Sequence, residues 1–145
     1  MPITSGMMTS ATPEWATPQK FFDGLAQEFD GFLLDVCARR KNAKCERYYT
    51  EKDDGLRQAW SRKNWMNPPY GREIGRWVRK AHEESLRGNL TVALLPARTD
   101  TAWFQDYIYR KHRISFVRGR LKFNDGRNPA PFPSMVVIFH GAMKR

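Results

Sequence analysis

The chain of 145 residues is long enough to bury one core and leaves no room for a separate recognition domain of ordinary size. Its 25 Lys and Arg against 15 Asp and Glu give a formal charge of +10, which favours a polyanionic partner, and five Trp, five Tyr and nine Phe supply rings for a core and for stacking on bases. No apolar run approaches the roughly 18 residues of a membrane span, no charged-then-apolar leader opens the chain, and Cys37 and Cys45 lack a second pair or a histidine cluster at ligand spacing, so a membrane protein, a disulfide framework and a zinc site are excluded and a cytoplasmic, metal-free protein is expected.

Residues 1–14 are rich in Ser, Thr, Pro and Met without periodicity and read as a flexible leader, which leaves 15–145 as a single domain. Thr17-Pro18 has the form of a helix start, with Thr17 as N-cap and Pro18 in the first helical position. Phe21, Phe22, Leu25, Ala26 and Phe29 follow at helical spacing and predict a helix over 18–29. Phe32-Leu33-Leu34-Asp35-Val36 reads as a buried strand with a polar group at its carboxyl end, and the small Cys37 and Ala38 let a ligand approach the backbone. Residues 39–44 are a polar loop, 45–50 read as a further strand, and Asp53-Asp54-Gly55 is a turn before a short helical segment holding Leu56 and Trp60.

Trp65-Met66 is a short strand that runs into Asn67-Pro68-Pro69-Tyr70. Beyond it Ile74, Trp77, Val78, Ala81 and Leu86 share one face of a helix over 73–86, which Gly88-Asn89 ends. Leu90 to Pro96 is the clearest buried strand, and Thr99 or Asp100 caps a helix bearing Trp103, Phe104, Tyr107 and Ile108. Residues 114–117 and 135–139 are strands without a helix between them, predicted to pair antiparallel at one edge. The alternation predicts a right-handed α/β sheet with parallel order in its middle. His82, His112 and His140 are scattered and read as structural or solvent-facing.

The tetrad carries chemistry. The exocyclic amine of a nucleobase is a poor nucleophile because its lone pair is delocalised into the ring. Two acceptors aimed at its two N–H bonds would draw the nitrogen toward a tetrahedral shape. Asn67 Oδ1 is one such acceptor, and the Pro68 carbonyl, in a segment of fixed φ, is a preorganised second. Tyr70, read as an exposed aromatic, supplies a stacking face. The tetrad alone does not distinguish a base from a glutamine amide. In open α/β sheets ligands sit outside the carboxyl ends of strands where strand order reverses, so strands ending at Asp35 and Asn67 would set a group donor beside its acceptor. The chain has no Gly-x-Gly-x-x-Gly and no P-loop, which argues against a pyrophosphate cofactor; a methylsulfonium donor needs only acceptors and small residues.

The segments Trp15 to Phe22, Leu34 to Ala38, Asn42 to Cys45, Trp65 to Arg72, Leu94 to Thr101 and Ala130 to Met135 occur in an order that resembles the phage and prophage DNA adenine-N6 methyltransferases, the small Dam-type enzymes. The resemblance runs from about Trp15 to Gly141. It implies a Rossmann-like, S-adenosylmethionine-dependent methyltransferase with a mostly parallel central sheet and an antiparallel C-terminal edge hairpin, acting on DNA in the bacterial host cytoplasm. Asn67, Pro68, Pro69 and Tyr70 match the catalytic motif, and Leu34 to Ala38 the cofactor-binding first motif. Thr17, Pro18 and Phe22 match the N-terminal element expected near the cofactor's methionine end, and Trp15 is a further cofactor candidate. Asp35, Cys37, Ala38 and Asn67 are the remaining cofactor candidates, with Asp54 proposed for the ribose or adenine. The first motif departs from the wider superfamily in lacking a glycine-rich run.

The expected reaction is in-line methyl transfer to an adenine rotated out of the duplex. It needs no covalent intermediate, so Cys37 reads as a small buried thiol and not as a nucleophile. Arg72, Arg98, Arg118, Arg120 and Lys122 are the candidate DNA contacts, and residues 39–44 and 118–133 the candidate reading loops. Rival readings are methylation of RNA or of a protein amide, which the +10 charge disfavours in the second case, and a non-catalytic DNA-binding protein that retains the fold.

Overall fold

The computed structural model describes residues 15–126 and 128–140 of the chain, so the expected leader over 1–14 lies outside the described residues. Five strands form one sheet in the order β1-β2-β3-β5-β4, with β1 at Leu34–Asp35, β2 at Lys63–Met66, β3 at Leu90–Pro96, β4 at Arg113–Phe116 and β5 at Ser134–Phe139. Among the described residues three α-helices accompany them: α1 at Gln19–Glu28, α2 at Ile74–Leu86 and α3 at Ala102–Tyr107. None of the described helices is long and apolar enough to cross a membrane.

The sheet is mixed. β1, β2 and β3 run parallel, whereas β5 is antiparallel to both of its neighbours, β3 and β4. Parallel order therefore occupies one end of the sheet and not its middle. The cause is the return of β5 between β3 and β4, and its run Met135-Val136-Val137-Ile138-Phe139 is buried throughout, as an inner strand requires. The antiparallel pairing of β4 with β5 and the edge position of β4 agree with the reading of the C-terminal strands.

The strand expected over 45–50 reduces to one parallel bridge between Asp35 and Tyr48. Glu46 and Arg47 are exposed, so this segment has little apolar surface to hold it as a ladder. Three backbone bonds remain: Asp35 N–H to the Arg47 carbonyl, Tyr49 N–H to the Asp35 carbonyl and Ala38 N–H to the Tyr49 carbonyl, at 3.1, 3.0 and 2.8 Å.

α2 buries Ile74, Trp77, Val78 and Ala81, the face that its spacing predicts. Leu86 does not join them and is 63% exposed at the helix's last position; Glu84 is buried instead. Its carboxylate accepts from Lys80 Nζ, Arg87 and Asn89 Nδ2 at 3.0, 2.9 and 2.8 Å. Gly88, at φ +91, turns the chain so that Asn89 N–H also caps the Glu84 carbonyl.

Two caps differ from expectation. Pro18, not Thr17, holds the N-cap position of α1, and no side chain caps that helix. α3 is capped by Thr101, whose hydroxyl accepts from Phe104 N–H at 3.2 Å, and not by Thr99 or Asp100. The histidines are also not scattered. His82 Nδ1 lies 2.9 Å from His112 Nε2, and the His112 and His140 rings meet edge-on at 5.6 Å. β5 runs antiparallel to β3, so this cluster sits at the end of the sheet where β2 and β3 begin.

Candidate active site

β1 and β2 are neighbours, with Asp35 opposite Trp65, and their carboxyl ends open into a cleft of about 400 Å³. The site is not at a reversal of strand order, because β1 is the edge strand and β2 follows it in sequence and in space. Residues 15–17 form one wall of the cleft, the turn at 54–56 another, and Asn67, Pro68 and Pro69 the floor leading to α2.

Asn67 is held by its amide nitrogen. Nδ2 donates to the Trp15 carbonyl at 2.5 Å and to Thr17 Oγ1 at 3.0 Å. This engagement explains the missing cap on α1: the Thr17 hydroxyl is directed at Asn67. The two donations fix which atom is oxygen, and Oδ1 is buried without a hydrogen-bond partner among the described residues. Nor does the Pro68 carbonyl accept a backbone hydrogen bond from any described residue. A buried acceptor without a donor costs on the order of 1–3 kcal/mol unless water or a ligand supplies one.

Asp35 is 3% exposed, and both of its oxygens are engaged, Oδ1 with Cys37 N–H at 3.3 Å and Oδ2 with Lys44 N–H at 2.9 Å. The carboxylate thus ties the loop after β1 back onto the strand while bordering the cleft. Burial pushes its pKa up to about 6, against the pull of those two amides and the Lys44 charge. Burial, then the Asp35 charge, pushes the Cys37 thiol well above its ordinary range, so it stays protonated. Asp54 sits on the cleft wall at φ +57, and the glycine after it is required: a Cβ on Gly55 would stand 2.2 Å from the Val36 carbonyl oxygen and 3.1 Å from the Trp77 ring.

Of the predicted cofactor residues, Trp15, Thr17, Asp35, Cys37, Ala38, Asp54 and Asn67 border this one cleft, and Pro18 and Phe22 do not. Phe22 lies behind the wall, its ring edge-on to Trp65 at 5.0 Å. Tyr70 is not an exposed stacking face. It is 8% exposed, its hydroxyl donates to the Leu94 carbonyl at 2.9 Å, and Phe132 and Phe123 pack edge-on to its ring at 5.5 and 6.2 Å. That hydroxyl bond to β3 turns the ring into the core.

The five candidate DNA contacts are all exposed and all follow carboxyl strand ends. Arg72 follows β2 and Arg98 follows β3. β4 runs in the same direction as β3, since both oppose β5, so Arg118, Arg120 and Lys122 emerge at that same end. None of the five borders the cleft itself; the basic residues there are Arg39, Lys44 and Arg76. Sequence reasoning assigned none of these three individually, nor Gly55. The first turn of α2 beyond a strand-end motif was the available signal for Arg76, which pairs with Glu73 at 2.9 Å.

A cleft at the carboxyl ends of parallel strands, bordered by an oriented amide whose oxygen has no partner among the described residues, is the kind of place where an α/β domain takes a small ligand. Residues 4–142 match the family model described as DNA N-6-adenine-methyltransferase (Dam), and the chain belongs to that family. It is 34% identical over 110 residues to the DNA N-6-adenine-methyltransferase of Escherichia phage T1, a stretch covering 74% of this chain and 45% of that relative. It is 30% identical over 135 residues to the DNA N-6-adenine-methyltransferase of Haemophilus phage HP1 (strain HP1c1), covering 86% of this chain and 77% of that relative. The match therefore spans less than half the length of the phage T1 protein.

Proposed function

We propose that the protein methylates the exocyclic N6 amine of adenine in DNA with S-adenosylmethionine as donor, within a Rossmann-like domain. The observation that carries this reading is the orientation of Asn67, whose nitrogen is spent on Trp15 and Thr17 and whose oxygen has no donor among the described residues. Asn67 Oδ1 and the Pro68 carbonyl accept the two N–H bonds of the amine. The nitrogen's lone pair is then free to attack, and the proton it sheds passes to water.

The cleft suits the donor. Its volume falls in the roughly 300–1,000 Å³ range of small-ligand sites. It sets Asp35, Glu51 and Asp54 as acceptors for hydroxyl or ammonium groups, Arg39 and Lys44 for a carboxylate, and Trp65 and Trp77 as apolar wall. S-adenosylmethionine, when bound, supplies an electrophilic methyl group and departs as a neutral sulfide. A protonated Cys37 does not compete for that methyl, because the thiolate is the nucleophile.

A stacked base cannot present its amine to this cleft, so the adenine is taken out of the duplex. Tyr70 supports the tetrad from below through Leu94, and the open stacking face first assigned to it has no place in this reading. Arg72, Arg98, Arg118, Arg120 and Lys122 contact phosphates, and the loops at 39–44 and 118–133 read the sequence. Protein and substrate meet in the bacterial host cytoplasm.

Incubation of the purified protein with methyl-labelled S-adenosylmethionine and, separately, DNA, RNA and protein tests the reading. Label is expected in DNA alone, as N6-methyladenine after digestion. Label in RNA or protein, or none in any of the three, overturns it. Replacing Arg118 and Arg120 by Ala should reduce the slope of log affinity against log salt by about 2, and an unchanged slope removes both from the interface.

A further inference from the structure

The peptide group joining Trp15 to Ala16 is gripped at both of its polar atoms. Its carbonyl accepts from Asn67 Nδ2 at 2.5 Å, and its N–H donates to Asn124 Oδ1 at 2.9 Å. Asn124 lies 108 residues from Ala16 in sequence and reaches it from the loop between β4 and β5. The same residue donates its own backbone N–H to the Ala16 carbonyl at 2.8 Å, so Ala16 is held from both sides. Asn124 adopts φ +61, a left-handed conformation that asparagine accepts more readily than most residues.

We propose that Asn124 is a positioning residue for the reaction, the far end of a hydrogen-bond chain that runs through the Trp15–Ala16 peptide and fixes the Asn67 amide. The proposal rests on the reading of Asn67 as the amine clamp. Three amide groups stand in series, each donating to the next: Asn67 to the Trp15 carbonyl, and the Ala16 N–H of that same peptide to Asn124. Such chains polarise one another, so the Asn124 oxygen makes the Trp15 carbonyl a better acceptor. Donation by Asn67 Nδ2 in turn enriches its own Oδ1, the atom the amine is to meet. Without the Asn124 side chain the peptide plane loses one of its two polar grips, and the clamp loses alignment more than it loses binding.

Two substitutions separate this role from a merely structural one. Asn124→Gly keeps the left-handed backbone and the N–H to Ala16 and removes only the side-chain acceptor. Asn124→Asp restores an oxygen in its place. Asn124 is exposed on a loop and both replacements tolerate its backbone, so both variants are expected to fold, which thermal melting checks. Two readouts are taken: solvent exchange of the Asn67 side-chain amide protons by NMR on the protein alone, and kcat and KM with labelled S-adenosylmethionine and DNA.

In Asn124→Gly the Asn67 amide should exchange faster and kcat fall about tenfold, with KM for DNA held within about twofold. Asn124→Asp should keep both near wild type. Unchanged exchange and kcat in Asn124→Gly, or an Asn124→Asp variant as impaired as the glycine one, overturns the proposal. Exchange that follows the expected pattern in a protein whose wild type methylates no DNA leaves the positioning role standing and removes the reading of the reaction instead.

Discussion

β2 carries an asparagine at each end, and the two are treated in opposite ways. Asn64, at the end where β2 and β3 begin, uses every polar atom. Nδ2 donates to the Ser61 and Leu90 carbonyls at 2.8 and 3.0 Å, and Oδ1 accepts from Ser61 N–H and Oγ, both at 2.9 Å. Asn67, just past the other end, uses its nitrogen, and its oxygen has no partner among the described residues. One residue type thus does two jobs within one turn of sequence. A satisfied buried amide joins elements together, and a half-satisfied one keeps an acceptor for water or a ligand to complete.

The comparison is broken most directly by removing each amide in turn. Asn67→Ala is expected to lower kcat by about a thousandfold or more, some 4 kcal/mol in the barrier, while leaving the melting temperature close to wild type. Methyl transfer at a near-normal rate would sink the clamp. Asn64→Ala should do the reverse and cost about 3 kcal/mol in urea unfolding, because Ser61 and Leu90 lose buried partners, with kcat per folded molecule barely moved. Thr17→Val is the finer probe. It deletes one of two acceptors of Asn67 Nδ2 in a side chain of the same shape, and kcat should fall about fivefold, near 1 kcal/mol.

In pH the two ends oppose each other. Burial raises the Asp35 carboxyl from 3.8 to about 6, so the folded protein keeps a proton that the unfolded chain has lost. Its contribution to stability is fullest below 3.8 and is lost as pH rises through about 6. His112 is depressed by burial, then by His82 and His140, from 6.5 to about 4. The unfolded chain therefore takes the proton first, and stability is lost as pH falls through the same window. Asp35→Asn should expose the histidine effect as a steeper loss of unfolding free energy between about pH 7 and about pH 4; an unaltered pH profile would show that Asp35 is not desolvated.

Elements with strong periodicity were legible. The burial of Ile74, Trp77, Val78 and Ala81 and the run from Leu90 to Pro96 follow from spacing alone. The tetrad's place at a strand end was legible too, since Trp65-Met66 leads straight into it. What the sequence hides is competition for polar groups between residues far apart. Thr17 before a proline reads as a cap, and only the fold brings Asn67, 50 residues on, to claim its hydroxyl. Tyr70 reads as an exposed ring until the Leu94 carbonyl is found to hold it. His82, His112 and His140 are 30 and 28 positions apart, yet a helix and the ends of two strands bring them together.

β1 has two residues, and the wall beyond it is held by one bridge, a few backbone bonds to Asp35, Ala38 and Tyr49, and the Asp35 carboxylate's hold on Cys37 and Lys44 N–H. A wall with so short a ladder opens locally at lower cost than β3 or β5. Whatever occupies the cleft must spend part of its contact energy holding that wall shut, so affinity should track the stiffness of residues 36–49 as well as the contacts made. Stiffening them by a substitution far from any ligand atom would then tighten the grip on a ligand it never touches.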